Sequence, residues 1–305
     1  KAGLRVPGEV SEWPARLPAL LAGLATLVIL GAAARRHWGD AGLVAAMLAL
    51  ALHPWHVRYS TEARGYSFML LGIALMLWFA DRALSGARWR DWAGYAACLF
   101  LCAVSFMGSI YFLACFSAGT LWHQFRRAKA AHEWSLVARP LVASLGAAMA
   151  GMVLLWPVIP PLLRVLQEHH SIRGEMGLRW WQDVAGYLVA GSRWVDAAPE
   201  NPANLALSRW LGETGGWLPP VCWAVLGAVG LHAMWKANGM LRTVAWSAPA
   251  ALVLAWVLMS RKGNFLNHWY VLYAVPWVVL MIAAGTATVF SRKKAAAVIL
   301  AALAL

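Results

Sequence analysis

Apolar runs close to the length of a bilayer crossing recur from end to end of this chain. They centre near 16–34, 41–57, 65–81, 92–106, 108–124, 140–159, 216–235, 244–259 and 269–289, and a partial run begins at 295. A bilayer core needs roughly 20 apolar residues per helix. It also leaves no water to satisfy an open backbone, so lipid-exposed spans of this kind must be helices. The spacing predicts an all-α polytopic bundle of about nine whole spans and a partial one. Hydrophobic residues make up 61% and charged residues only 13%, about half the usual share for a soluble domain. Most connections are short, so neighbouring helices should run antiparallel. The reading is of a single transmembrane domain over 1–305, with one long connection at about 160–215 and no soluble domain or internal repeat. The chain starts at Lys1 and stops inside "AAAVILAALAL", which we read as a fragment missing something at both ends.

The net charge of +13 does not point to nucleic acid, because no basic run with interleaved aromatics stands outside the apolar segments. It sorts by loop instead. Alternate connections near 35–40, 82–90, 126–139, 236–242 and 292–294 carry fourteen of the 26 lysines and arginines. The others carry twelve, five of them within 160–215, where length weakens the orienting rule. The first set is expected inside, facing anionic lipid. The chain start and the stretches 53–66, 160–215 and 260–270 are then expected outside, with nine of the thirteen acidic residues, Glu9 and Glu12 among them. Cys98, Cys102, Cys115 and Cys222 all lie in apolar stretches, which suits packing rather than metal ligation.

Outer-side chemistry concentrates in "HPWHVRYSTEARGY", residues 53–66. Pro54 is expected to end one helix and Ser60 or Thr61 to cap the next. Glu62 and Arg64 would then share a first turn, two residues apart and facing different partners. An arginine there meets the positive end of the helix dipole unless an anion sits beside it. Arg58, Tyr59 and Tyr66 complete the cluster. A second cluster, Arg261, Lys262, His268 and Tyr270, precedes the span that contains Pro276. For both, interfacial anchoring and anion binding remain open on spacing alone. Trp180, Trp181, Trp194, Trp210, Trp217 and Tyr187 fit either a sugar-stacking platform or an aromatic belt. Glu168 with His169 and His170 resembles a metal set, although adjacent histidines rarely face one ion. Glu9 and Glu12 read as structural.

"SEWPARLPALLAGL", followed by "RRHWGDAGLVAAMLALALHPWHVRYSTEARGYSFMLLGIAL", resembles bacterial membrane glycosyltransferases of the GT-C superfamily related to protein O-mannosyltransferases and the lipid A aminoarabinose transferase. The family pattern runs Tyr-Ser-Gln-Glu-Ala-Arg-x-Tyr. Here it reads Tyr59-Ser60-Thr61-Glu62-Ala63-Arg64-Gly65-Tyr66, with Thr for Gln. "NHWYVLYAVPWVVLMIAAG" resembles the late family helix, with His268-Trp269-Tyr270 where Arg-Tyr is usual. The resemblance implies transfer of a sugar, with inversion, from a polyprenyl-phosphate donor to a glycan, lipid or protein acceptor at the outer face of the inner membrane. It implies that cations stabilise the lipid-phosphate leaving group. The general base would be an aspartate upstream of this fragment. Glu62, at the second acidic position, would orient the acceptor or hold a divalent metal; no cofactor is otherwise implied. A lipid-linked sugar transporter and a non-catalytic scaffold are the competing classes. A transporter predicts paired repeats and helices broken at the midplane, and neither is visible.

Overall fold

The computed structural model of the chain describes residues 13–86, 88–161, 164, 176–190, 218–237, 239–263 and 265–291. Among them every regular element is helical, so the fold is all-α. In chain order these are α1 Trp13–Ala51, α2 Pro54–Thr61, α3 Tyr66–Gly86, α4 Trp89–Ser105, α5 Ile110–Ala131, α6 Ser135–Leu155, α7 Leu178–Ala190, α8 Leu218–Lys236, α9 Met240–Arg261 and α10 Val275–Phe290. Short 3-10 turns at Met107–Ser109 and His268–Ala274 lead into α5 and α10.

The 39 residues of α1 are broken at Gly39, whose φ of 65° lies in the left-handed region that glycine enters without steric cost. The chain doubles back there. A Cβ on Gly31 would meet the Met47 side chain, and one on Gly42 would meet the Ala34 carbonyl. Those pairs centre on Gly39 and Trp38, as in a helical hairpin, and in one straight helix they would stand more than 10 Å apart. The runs expected at 16–34 and 41–57 are therefore the two arms, except that the second arm stops at Ala51 and α2 begins afresh at Pro54. The run expected at 269–289 also starts differently. Its first turn is 3-10, and α10 proper begins with Pro276 in its first turn, where the missing N–H costs nothing.

Among the described residues five elements are long and apolar enough to cross a membrane: α1, α3, α6, α9 and the segment His268–Phe290. The protein is an integral membrane protein. Its α6 presents Leu141, Val142, Leu145, Met149, Met152 and Val153 outward, an apolar face that only lipid would solvate well. Inside, α3 packs on α4, α1 on α3 and α10, α5 on α9, and α8 on α10, around Trp92, Tyr95, Phe112, Phe116 and Tyr273. Helices α8 and α10 touch backbone to backbone: a Cβ on Gly230 would fall 1.8 Å from the Met281 carbonyl oxygen, and one on Gly285 2.1 Å from that of Leu226. Small residues permit such contact where no hydrophobic force between helices exists in lipid.

The basic connections meet at one end of the bundle. Arg36 pairs with Asp81 at 3.0 Å, His37 faces the same carboxylate at 3.5 Å, and Arg82 pairs with Asp91 at 2.9 Å. Arg127 of α5 donates to the Leu84 carbonyl. The stretches 53–66, α7 and 265–270 gather at the opposite end.

Candidate functional site

The stretch 53–66 folds around a helix of its own. His53 takes the extended conformation imposed by a following proline, and Pro54 opens α2 at its first position. Trp55, His56, Tyr59 and Ser60 form the buried face of α2, while Val57, Arg58 and Thr61 are exposed. A Cβ on Gly23 would strike the Ser60 side chain, so α2 lies directly on the first arm of α1.

The expected N-caps are corrected here. Ser60 and Thr61 end α2 rather than begin α3, and their hydroxyls donate back to the carbonyls of His56 at 2.6 Å and Arg58 at 2.8 Å. Proline stops a helix that runs into it, but it serves equally as a start, and eight residues fit before the next turn. Glu62 is extended, and the Arg64 N–H donates to its carbonyl at 2.8 Å. Gly65 gives α3 its first backbone acceptor, for Met69. Its own backbone abuts α4: a Cβ there would lie 2.0 Å from the Ser105 carbonyl oxygen. Ser67 Oγ donates to the Tyr59 carbonyl at 2.5 Å, tying the start of α3 to the end of α2.

Because 62–65 is a turn and not a helix, Glu62 and Arg64 face each other, which corrects the expectation of separate partners. Arg58 Nε lies 2.9 Å from Glu62 Oε1, and Arg64 Nε lies 3.6 Å from Glu62 Oε2. The second distance exceeds hydrogen-bond reach, so Glu62 holds Arg64 by charge alone, and the Tyr66 phenol is a further polar partner of that guanidinium. Both arginine side chains are about two-thirds exposed, at 67% and 66%. Exposed ion pairs contribute under about 1 kcal/mol. What the arrangement supplies is therefore two guanidiniums set side by side. Burial, with Tyr66 alongside, pushes the Tyr59 phenol up to about 12, so at neutral pH it is a hydrogen-bond donor and no base.

Aromatic rings join this motif to the 265–270 stretch along two routes. Tyr59 meets Tyr66 at 4.4 Å, Tyr66 meets Phe106 at 5.0 Å, and Phe106 meets Tyr270 at 5.4 Å. On the other side Trp55 stacks on Tyr187 at 4.9 Å, and Tyr187 stacks on His268 at 4.9 Å. Tyr270 is partly exposed; His268 is buried, its Nε2 3.5 Å from Asp183 Oδ2. Arg261 and Lys262 stand exposed at the end of α9, set apart from His268 by the turn at Gly263, whose φ is +65°.

Helix α7 covers this junction. Its Asp183, Tyr187 and Leu188 face His268, Trp55 and His53, and His53 Nε2 lies 3.1 Å from the Leu188 carbonyl. Trp180 settles the ambiguity noted for it: it is buried, with its Nε1–H donating to the Leu266 carbonyl at 2.7 Å, so it is neither a sugar platform nor an interfacial belt. Trp181 packs on Trp256, whose Nε1–H donates to the Met176 carbonyl. Glu9, Glu12, Glu168, His169, His170, Trp194, Trp210 and Trp217 lie outside the described residues, as does the side chain of Cys222. Asp183, Phe106 and Gly65 were missed in the sequence. The spacing Trp180, Asp183, Val184, Tyr187 is one helical face and could have signalled the first of them.

Burial drives His53 down to about 4. An unfolded or opened chain takes up this proton near pH 6.5, whereas the closed form resists it until about pH 4. The closed form is therefore fully favoured above pH 6.5 and loses stability as pH falls from 6.5 towards 4, by on the order of 3 kcal/mol at most. Burial lowers His56 as well, adding in the same sense. His53→Gln retains a donor for Leu188 and does not titrate. Its melting temperature should fall less steeply than wild type between pH 6.5 and 4.5; equal slopes would dismiss this account.

A family model described as dolichyl-phosphate-mannose-protein mannosyltransferase matches residues 1–156, just over half of the 305. The chain belongs to this family. It is accordingly a membrane glycosyltransferase of the GT-C type that uses lipid-phosphate-linked sugar. No curated protein and no solved structure matches the chain. The family match covers α1 to α6 and the whole 53–66 motif; α7, His268 and Tyr270 lie beyond it. A divalent metal at Glu62 does not fit the donor set found there, because its carboxylate faces two guanidiniums. Among the described residues no three His, Cys, Asp or Glu side chains gather as a metal would need.

Proposed function

We propose that the protein transfers a sugar from a polyprenyl-phosphate donor to a cell-envelope glycan, lipid or protein acceptor, with inversion, at the outer face of the inner membrane. The observation that carries this reading is the pair of exposed guanidiniums, Arg58 and Arg64, held by one carboxylate at the rim of an aromatic wall. The acceptor hydroxyl oxygen attacks the sugar's anomeric carbon, giving its proton to a general base, as the bond to the phosphate oxygen breaks on the opposite face. The electron pair stays with the lipid phosphate, whose growing charge Arg64 and Arg58 offset. Glu62 keeps the two cations from repelling each other apart. Tyr59, Tyr66 and Tyr270 offer ring faces and phenol groups on which a sugar can rest. His268 and Asp183 hold α7 against that wall, while Arg261 and Lys262 stand ready for a second contact with the lipid phosphate.

The reading is tested with purified full-length protein in proteoliposomes, using labelled polyprenyl-phosphate sugar and envelope acceptor. Labelled product should form with wild type and fall to background in the Arg58→Ala, Arg64→Ala double variant. Donor crossing the bilayer without product would establish the transporter class instead. Undiminished product from the double variant would remove the guanidinium pair from the mechanism. The α7 contacts carry a further expectation. Asp183→Asn keeps the side-chain shape but removes the carboxylate 3.5 Å from His268 Nε2, and should lower transfer by roughly threefold at saturating donor, since an ordinary polar contact is worth about 0.5–1.5 kcal/mol. Unchanged turnover would make Asp183 a packing residue only.

A further inference from the structure

The end of the bundle opposite the motif holds a groove of about 680 Å³ between α5, α8 and α9, lined in part by Trp122, His123, Arg126, Trp235, Arg242 and Trp246. It lies far from the first site. From Ile110 to His123 along α5 is roughly 20 Å, and from Thr243 to Arg261 along α9 roughly 27 Å. Its cations converge: the charges of Arg127, Arg126 and Arg242 all act on His123. Arg242 is steered by its Nε–H, which donates to the Trp235 carbonyl at 2.8 Å. Arg126 is exposed and has no ion-pair or hydrogen-bond partner among the described residues. Like charges held together without a carboxylate are unfavourable unless an anion joins them.

The groove's other half is aromatic. Trp122 and Trp235 are 60% and 54% exposed, and the rings continue outward from Trp122 to Phe125 at 5.8 Å and from Phe125 to Trp134 at 5.8 Å. A small soluble anion gains nothing from these rings, whereas a molecule with a charged head and an apolar body uses both halves. Exposed tryptophans at the end of a bundle sit at the level of lipid headgroups, and basic pockets between helices are suited to anionic heads. We infer that this groove binds an anionic phospholipid, its phosphodiester between Arg126 and Arg242 and its glycerol and upper acyl chains along Trp122, Phe125 and Trp246.

The inference is tested by native mass spectrometry of the full-length protein in detergent, titrated with phosphatidylglycerol, phosphatidylcholine or inorganic phosphate. Wild type should bind phosphatidylglycerol at least about tenfold more tightly than phosphatidylcholine. The Arg126→Gln, Arg242→Gln double variant should lose most of that preference, by roughly tenfold or more, while Lys129→Gln, a cation of the same helix end outside the groove, keeps it. If the double variant fails to fold, Arg126→Gln alone decides, because Arg126 supports no other described side chain; a loss of about threefold or more is expected from it. Equal affinity for the two lipids, or full retention in the variants, overturns the inference. Inorganic phosphate that displaces the lipid at similar concentration overturns it too, since the site would then read the anion alone.

Discussion

Arg64→Lys in the full-length protein is expected to raise the donor concentration for half-maximal transfer by roughly 10- to 100-fold, with acceptor dependence little changed. Arginine binds a phosphate through two parallel hydrogen bonds, and lysine cannot form that fork. Losing such charge-assisted bonds costs about 1.5–3 kcal/mol, and each 1.4 kcal/mol is tenfold. An arginine that merely anchors at the interface would tolerate lysine, because both snorkel. The geometry also alters what Glu62→Gln should do. Were Glu62 facing the acceptor, its loss would lower turnover and spare donor binding. Since it lies 2.9 Å from Arg58 and 3.6 Å from Arg64, its loss frees both guanidiniums and should shift donor dependence in the same direction as Arg64→Lys. Proteoliposome assays with donor and acceptor titrated separately distinguish the two roles. Wild-type donor dependence in Arg64→Lys would leave interfacial anchoring as the function of that side chain.

Gly65→Ala is expected to abolish transfer and lower the melting temperature, although it adds a single methyl group within the motif. The new Cβ would sit 2.0 Å from the Ser105 carbonyl oxygen, a backbone atom that no rotamer change can move. Relief requires α3 and α4 to separate where they carry Tyr66 and Phe106, two links of the aromatic wall. Overpacking of a side chain typically costs 1–3 kcal/mol, and backbone contact should lie at or above the top of that range. Gly86→Ala is the control at the far end of α3, where an added Cβ meets nothing within 4 Å. Comparable melting temperatures for Gly65→Ala and Gly86→Ala would show that the approach of α3 to α4 is looser than these distances state.

Much of this molecule follows from local pattern. Apolar runs in a medium without water must be helical, so the all-α class and most helix positions were legible. The family was legible in eight residues, Tyr59 to Tyr66, because their order and chemistry are unusual at the end of an apolar run. The hairpin at Gly39 was legible as two runs separated by a charged stretch.

Other features depend on how one segment meets another, and no periodicity encodes that. Whether Glu62 faces Arg64 depends on whether 62–65 is a turn or a helix. Gly65 against Ser105, and Ser67 against the Tyr59 carbonyl, hold it as a turn; both contacts join elements that the sequence pattern leaves separate. Asp183 reads as an ordinary acidic residue in a long connection and Tyr187 as platform or belt, and only the stacking of Tyr187 between Trp55 and His268 brings them to the motif. Trp180 could be a platform or a belt by composition, and its hydrogen bond to Leu266, 86 residues away, makes it a core anchor. Sequence alone determined the membrane, the helices and the chemistry available, because those follow from solvent and side-chain type. Tertiary structure decided which charges and rings meet, because that depends on backbone approach and on contacts between residues far apart in the chain.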